Sequence, residues 1–167
     1  MPAAKKPRPH SDPYRGYSFR VRWDGRLVAG ITRVSALKRT TDVVEYREGN
    51  TGATRRLPGV TGFEPITLER GITHDADFEV WAKLVAGTAE PLVAFRKEVR
   101  IEVYDASGRL VLAYNVHRCW PSEYIALGGL EAGSGCALIQ SLTLQNEGWE
   151  RDTSIKPPTL KPPLRKA

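Results

Sequence analysis

The sequence predicts a mainly β domain of the α+β class, an antiparallel β-sandwich or barrel with one flanking α-helix. Several segments alternate apolar and polar residues with a period of two, which is typical of strands with one buried face. A single segment, residues 75–86, has apolar residues at helical spacing. An arm at residues 43–73 carries a glycine- and arginine-rich stretch with few residues that could form a core. Together these features indicate a β core, one helix that covers it and one segment that leaves it.

The net charge of the chain is concentrated at its two ends. The 167 residues have a net charge of +6, whereas residues 13–150 contain 17 basic and 17 acidic side chains. This length predicts one domain, which we place at residues 13–150. The basic, proline-rich segments 1–12 and 151–167 are predicted to be disordered extensions, because they cannot bury enough apolar surface to fold. A nucleic-acid-binding module is disfavoured, since its charge would lie on the folded surface.

The termini and cysteines bear on where the chain is assembled. No apolar run has the length of a membrane span or the character of a signal peptide. We therefore expect assembly in the cytoplasm and no membrane anchor. Cys119 and Cys136 are expected to be reduced thiols, since disulfides are rare in the cytosol. A docking role for the C-terminal segment stays open, because Leu160 and Leu164 recur between its proline pairs.

The first strand is predicted at Tyr17–Trp23, where aromatic and aliphatic residues alternate with Ser and Arg. Asp24-Gly25 predicts a tight hairpin turn, and Arg26–Ile31 is the returning strand.

The arm follows as a strand at Val43–Arg47, a long loop, and a second strand at Ile66–Arg70. Loops longer than about 12–15 residues are usually functional or disordered. Apolar residues inside the loop, such as Leu57 and Phe63, argue against disorder. The arm is therefore predicted to be a long hairpin that leaves its own subunit and packs on a neighbouring one.

The helix is predicted at Asp75–Ala86, with Thr73 or Asp75 as its cap and Gly87 at its end. Its apolar stripe is expected to pack on the sheet and consists of Phe78, Trp81, Leu84 and Val85.

The second half of the chain predicts three more strands. Val99–Tyr104 and Leu110–Trp120 flank a turn at Asp105–Gly108, and Pro121 ends the second of them. Leu138–Gln145 is the last strand, and the glycine-rich segment before it is predicted to be irregular.

Catalytic and cofactor sites are disfavoured. His117, Cys119 and Cys136 offer three metal ligands at most, whereas a structural zinc site has four. The segment Gly128–Gly135 lacks the Lys-Ser/Thr ending of a phosphate loop and precedes a strand instead of a helix. No His has an acid partner and a nucleophile in a recognisable arrangement. We expect no enzyme activity, no metal and no cofactor.

An ordered set of short segments resembles the tail tube proteins of contractile phages and contractile injection systems. The resemblance covers residues 12–150. It rests on Asp12-Pro13-Tyr14, Glu45–Gly49, Arg56–Gly59, Leu68–Thr73, Asn115, Trp120-Pro121-Ser122 and Glu147-Gly148.

This resemblance implies a small tail-tube-like β-barrel with a flanking helix that closes into homohexameric rings. Such rings stack into a hollow inner tube within a contractile sheath, and contraction drives the tube through a target envelope. The implied partners are further copies of the chain, the sheath protein, and baseplate, spike and tube-end proteins. Protein cargo or phage DNA in the lumen stays open, as does release of the particle by lysis.

The resemblance also assigns residues to contacts. Contacts between rings are assigned to the arm, at Glu48, Arg55, Arg56, Leu57 and Pro58. The lumen is assigned to the polar faces of the two late strands, at Asn115, His117, Ser141, Thr143 and Gln145.

The terminal extensions depart from the family pattern and leave open whether this is the bulk tube protein or a specialised end ring. Two other functions also stay open. One is a secreted ring protein like the haemolysin-coregulated tube of type VI secretion, and the other is a monomeric β-barrel binding module.

Overall fold

The computed structural model describes residues 18–47, 49, 54–87, 95–130 and 137–156. The predicted extension 1–12 and most of the predicted tail lie outside this range. The chain forms ten strands and one helix in the described range, in the following order: β1 Ser18–Trp23, β2 Arg26–Val28, β3 Ile31–Val34, β4 Arg39–Arg47, β5 Thr54–Phe63, β6 Ile66–Gly71, α1 Asp77–Ala86, β7 Lys97–Tyr104, β8 Leu110–Ile125, β9 Ile139–Gln145 and β10 Trp149–Arg151.

The main sheet is antiparallel, in the order β2-β1-β7-β8-β9-β6-β3, with β10 also paired to β8. The predicted antiparallel β architecture with one helix is confirmed. Of the two forms predicted, the closed barrel is not formed within the described residues, because β2 and β3 end the sheet without pairing to each other.

Strand β8 holds the two halves of the sheet together. It pairs with β7 from Leu110 to Cys119 and with β9 from Trp120 to Ile125. The prediction that Pro121 ends this strand is wrong. Pro121 faces Leu144 across the β8–β9 pair and is buried, next to a register shift where a proline without an N–H is tolerated.

The core lies between the two halves of the sheet and is covered by α1. The Trp23 ring packs at a tilt against Trp81 and Phe78, with centroid distances of 4.8 and 5.9 Å respectively. Aliphatic residues from both halves complete the buried cluster: Val21, Val99, Ile101, Val116, Ile66, Leu68, Leu142 and Leu144. The helix thus covers the part of the core that the open sheet leaves uncovered.

The helix begins two residues later than predicted. Ala76 is the N-cap residue and offers no side-chain hydrogen bond. Thr73 and Asp75 instead shape the preceding turn, since Thr73 Oγ1 accepts from Asp75 N at 3.2 Å and Asp75 Oδ1 accepts from Asp77 N at 2.8 Å.

The predicted apolar stripe of α1 is only partly buried in the single chain. Phe78 and Trp81 are fully buried, Val85 is half-buried, and Leu84 remains 49% exposed. The assignment of Leu84 to the sheet-facing side is therefore wrong for the single chain. The two aromatic rings fill the space over the sheet, and the helical twist turns Leu84 away from it.

Candidate assembly surface

The arm is a two-stranded antiparallel hairpin, as predicted, but its second strand is β5 and not Ile66–Arg70. Strands β4 and β5 pair with each other from Arg39↔Phe63 to Arg47↔Thr54 and form a sheet of their own. The predicted loop was wrong because its glycines and prolines suggested irregular backbone. Pro58 is accommodated because an outer strand has a side without ladder hydrogen bonds.

A close backbone approach explains one of the hairpin glycines. A Cβ placed on Gly59 would lie 3.1 Å from Val44 Cγ2 and 3.2 Å from Asp42 O. The register shifts between Thr41 and Val43, directly opposite this position. Gly59 therefore permits a bulge that a larger residue would crowd.

The hairpin exposes large apolar side chains. All nine residues of β4 are exposed. Exposed fractions between 52 and 76% are found for Val43, Val44, Tyr46, Leu57 and Val60. A two-stranded hairpin alone is at best marginally stable in water, and apolar clusters of this kind mark interaction sites.

Both faces of the hairpin carry such side chains. Val44 pairs with Leu57 and Tyr46 pairs with Arg55, which places these residues on one face. Val43 pairs with Pro58 on the opposite face. The hairpin can therefore contact partners on two sides.

An aromatic cluster fixes the root of the hairpin to the main sheet. Phe63 packs edge-on against Trp149 with centroids 6.3 Å apart, and Tyr114 packs on the same indole at 5.7 Å. Gly148 has a φ of +132°, and a Cβ there would lie 3.2 Å from Phe63 Cζ. The hairpin direction is thus set by the body of the subunit. Trp149 was not predicted to anchor the hairpin, although Gly148-Trp149 follows the last predicted strand in the sequence.

Four of the five residues predicted to join rings lie along β5. Arg56 Nε donates to Glu45 Oε1 at 3.3 Å across the hairpin, in a pair of exposed side chains. Leu57 and Pro58 are exposed, as is Arg55. Glu48 lies outside the described residues. A role of these residues between rings stays a prediction.

The residues predicted to face the lumen fall into three groups on the outer surface of the sheet. Ser141, Thr143 and Gln145 are half-buried on β9 and join a hydroxyl-rich surface. Thr143 Oγ1 contacts Thr67 Oγ1 at 3.3 Å, and Gln145 Nε2 donates to Ser122 Oγ at 3.2 Å. The same surface also carries charges: Glu69 lies opposite Ser141 and pairs with Arg33, and Glu123 Oε2 accepts from Thr143 Oγ1 at 3.3 Å. It is therefore polar and suits contact with water.

His117 belongs to a charged cluster at the β8 bulge. Its Nδ1 lies 2.7 Å from Glu98 Oε2, and its Nε2 lies 3.5 Å from Glu150 Oε1. The next residue, Arg118, has a positive φ of 52° and donates its N–H to Glu98 Oε1 at 3.0 Å. The cluster stabilises the strained bulge at Arg118, and this stabilisation is a structural role for His117.

Asn115 belongs to a network centred on Arg100. The Arg100 guanidinium donates to Asn115 Oδ1 at 3.0 Å, to Glu102 Oε1 at 3.2 Å and to Asp152 Oδ2 at 2.8 Å. This ties β7, β8 and the segment after β10 together on one face. The sequence offered no signal for the network, because its members are far apart along the chain.

The network keeps its acids ionised. Burial alone would raise the pKa of Glu102, but hydrogen bonds from Tyr104, Arg22 and Arg100 outweigh it and lower the pKa. Hydrogen bonds from Ser154 and then from Arg100 lower the pKa of Asp152 to about 2. Ion pairs on this face therefore persist over the neutral and mildly acidic range.

We expect replacement of Asp152 by asparagine to reduce the acid sensitivity of the fold. The Asp152 carboxylate stabilises the folded state above its ordinary pKa of about 3.9, and this contribution is lost as the pH falls towards 2. Thermal unfolding midpoints between pH 6 and pH 2 should fall less steeply for the variant than for the parent chain. Identical slopes would contradict a role for Asp152 in the network.

Cys119 is buried, and desolvation raises the pKa of its thiol to about 12. Cys136 lies outside the described residues.

Within the part of the chain that the structure describes, no group of three or more His, Cys, Asp or Glu residues could hold a metal ion. The same part contains no helix of the length and apolarity needed to cross a membrane.

A packed sheet that carries an exposed apolar hairpin defines a structural subunit that associates through its surface. Residues 15–150 match the family described as T4-like virus tail tube protein gp19. The chain belongs to this family and is a tail tube protein, a structural component of a phage tail or tail-like particle. No curated protein matches the sequence significantly.

Solved structures support the same fold. A chain of the anti-feeding prophage cap, which terminates the tube, has a TM-score of 0.73 and 24% identity, with 85% of this chain and 92% of that one covered. A chain of the PVC sheath/tube terminator in its extended state has a TM-score of 0.73 and 22% identity, with coverages of 86% and 99%. A chain of the six-fold symmetrised anti-feeding prophage baseplate has a TM-score of 0.71 and 21% identity, with coverages of 84% and 96%.

Proposed function

We propose that this chain closes into six-membered rings that stack into the hollow inner tube of a contractile injection system or phage tail. The exposed hairpin carries this proposal. Its apolar side chains lie on both faces and are exposed to solvent in the single chain. Its root is fixed to the main sheet. A head-to-tail contact that closes on itself would cover such a surface, and the six-fold symmetry of a similar baseplate assembly supports six copies.

The sheath and the tube-end proteins are the partners in this proposal. Similar chains occur in structures described as a tube-terminating cap, a sheath/tube terminator and a baseplate. Membership of the tail tube family favours this role over a monomeric binding module.

Protein cargo or DNA would occupy the lumen. Assembly in the cytoplasm with release by lysis belongs to the same proposal and is tested by comparing particles in the medium before and after lysis.

Negative-stain electron microscopy of the purified full chain tests the assembly. Rings or tubes with a central channel are expected, alone or after addition of the sheath and baseplate proteins. A chain that stays monomeric at high concentration and with those partners would overturn the proposal. A reconstruction would also locate the channel wall, where we place the face that contains Ser141, Thr143 and Gln145.

We expect charge reversal at Arg55 and Arg56 to shorten tubes without unfolding the subunit. Both side chains are exposed on the hairpin, so the cost within the monomer should stay below about 1 kcal/mol. Tube length is measured by microscopy and the unfolding midpoint by circular dichroism.

A matched control reverses Arg26, an exposed arginine on β2, which ends the main sheet on the side opposite to β3, the strand that precedes the hairpin. Unchanged tube length in the Arg55→Glu, Arg56→Glu variant would refute the role of the hairpin in stacking.

A further inference from the structure

An apolar groove of about 500 Å³ lies between α1 and the second half of β8. Binding clefts in proteins usually have volumes of about 300–1,000 Å³. The apolar walls of the groove consist of Ala82, Val85 and Ala86 on α1, and of Pro121, Tyr124 and Ala126 on or beside β8. We propose that the C-terminal segment 157–167 of a neighbouring copy binds in this groove. This inference rests on the proposed function, because it requires neighbouring copies.

Both walls of the groove are fixed by the packing beneath them. Phe78 and Trp81 are fully buried and hold α1 on the sheet. Tyr124 Oη donates to Gln140 Oε1 at 3.3 Å, and Gln140 is itself buried. The groove is therefore formed before anything binds in it, which lowers the entropic cost of binding.

The composition of residues 157–167 suits such a groove. The segment contains four prolines, two leucines and three basic side chains, and it contains no acid. Proline-rich segments adopt polyproline II helices and bind in apolar grooves with aromatic walls, because their extended backbone loses little entropy on binding. Tyr124 and Pro121 give the β8 wall this character.

The spacing of the apolar residues in the segment matches the length of the groove. A polyproline II helix has three residues per turn and rises about 3.1 Å per residue, so Pro157, Leu160 and Pro163 would share one edge over roughly 19 Å. The β8 wall from Pro121 to Ala126 extends over roughly 17 Å at about 3.3 Å per residue. One apolar edge of the segment can therefore fill the groove while its basic side chains remain off that edge.

The charges of the groove and the segment are complementary. The groove is lined by two acids, Glu79 and Glu123, and by one base, Lys83. Lys83 is already paired with Glu79, since its Nζ lies 2.5 Å from Glu79 Oε1. The lining thus carries an excess of negative charge, whereas all the charged side chains of residues 157–167 are positive.

The direction of the chain favours the groove of a neighbouring copy. Strand β10 runs antiparallel to β8, and Asp152 N donates to Ala113 O at 2.9 Å. Beyond Arg151 the chain therefore heads towards the first residues of β8, whereas the groove lies near the last residues of that strand. A segment that leaves at one end of a strand and a groove at its other end suit a head-to-tail contact that repeats from copy to copy.

Site-specific photo-crosslinking tests the contact. The full chain is produced with p-benzoylphenylalanine in place of Leu160, and isotopically light and heavy protein are mixed, assembled, irradiated and analysed by mass spectrometry. We expect crosslinks from position 160 to residues 79–86 or 121–126, with both labels in one product. Protein diluted below its assembly concentration should give at least about tenfold fewer, because a contact between copies depends on concentration.

The outcomes separate this inference from the proposed function. Rings or tubes whose crosslinks map elsewhere, or only within one chain, would overturn the inference and leave the tube function standing. A chain that forms neither rings nor tubes, alone or with the sheath and baseplate proteins, would overturn both.

Filling the groove provides a second measurement. We expect Ala86→Trp to reduce the yield of these crosslinks by at least about fivefold, because an indole at this exposed position occupies the groove without entering the close-packed core. Val80→Trp is the matched control, since Val80 is 55% exposed on the same helix and does not line the groove. Equal yields from both variants, at unchanged unfolding midpoints, would overturn the inference.

Discussion

Replacement of Trp81 by alanine is expected to destabilise the fold by about 3–5 kcal/mol, the usual cost of removing a buried aromatic side chain. Trp81 is fully buried, and its indole packs at 4.8 Å from Trp23 and donates from Nε1 to Phe95 O at 2.7 Å. The variant would lose this packing and leave a buried carbonyl without its donor. Urea unfolding followed by circular dichroism measures the change in the free energy of unfolding.

Val80 provides the control for this prediction. It precedes Trp81 on α1 but is 55% exposed, so Val80→Ala should change the free energy of unfolding by less than about 0.5 kcal/mol. Equal effects of the two substitutions would show that α1 does not close the core. A subunit with a loosened helix should also assemble poorly, because the sheet beneath it would lose its fixed shape.

Replacement of Asp75 by alanine is expected to destabilise the subunit by about 1–3 kcal/mol. Breaking a fully buried ion pair typically costs about 3–5 kcal/mol. The expected cost is smaller here because Asp75 is partly exposed. Arg70 is fully buried, and Asp75 Oδ2 lies 3.5 Å from its Nη1. Arg70 Nη2 also donates to Asp75 O at 2.6 Å, and the guanidinium lies 4.1 Å from the Phe78 ring centroid. Without the carboxylate, a buried cation would keep only a carbonyl and an aromatic face.

A double variant distinguishes the cost of the unpaired charge from the cost of the lost turn. Arg70→Met in the Asp75→Ala background should recover part of the lost stability, because methionine fills a similar space without a charge. Glu45→Ala is the control. It removes one partner of the exposed ion pair between Glu45 and Arg56 and should lower the free energy of unfolding by less than about 1 kcal/mol. The interpretation fails if the double variant is less stable than Asp75→Ala alone.

The architecture of the sheet was largely predictable from periodicity. The strands at residues 17–23, 99–104 and 138–145 were predicted within a few residues of β1, β7 and β9, because one face of each is buried and the other is polar. The register of β8 shows the same alternation, since Tyr114 lies opposite Ile101 and Asn115 opposite Arg100. Local patterning carries this information because burial acts on every second residue of a strand.

The hairpin shows the limit of that reasoning. Strand β5 has Gly59, Gly62 and Pro58 within ten residues, which by composition favours a loop. Its strand conformation comes from pairing with β4 across a bulge and from the aromatic anchor at Phe63 and Trp149. Those contacts link residues that are distant in sequence, so local propensity could not reveal them.

The sequence by itself determined the β class, the single helix, the neutral body and the arm that leaves it, and its ordered motifs pointed to the tail tube family. Only the tertiary structure decided that the hairpin pairs along β4 and β5, that the sheet stays open, and that Arg100 joins Asn115, Glu102 and Asp152. The physical reason is that alternation and spacing report how each segment is buried, whereas pairing partners and surface patches depend on which distant segments come together.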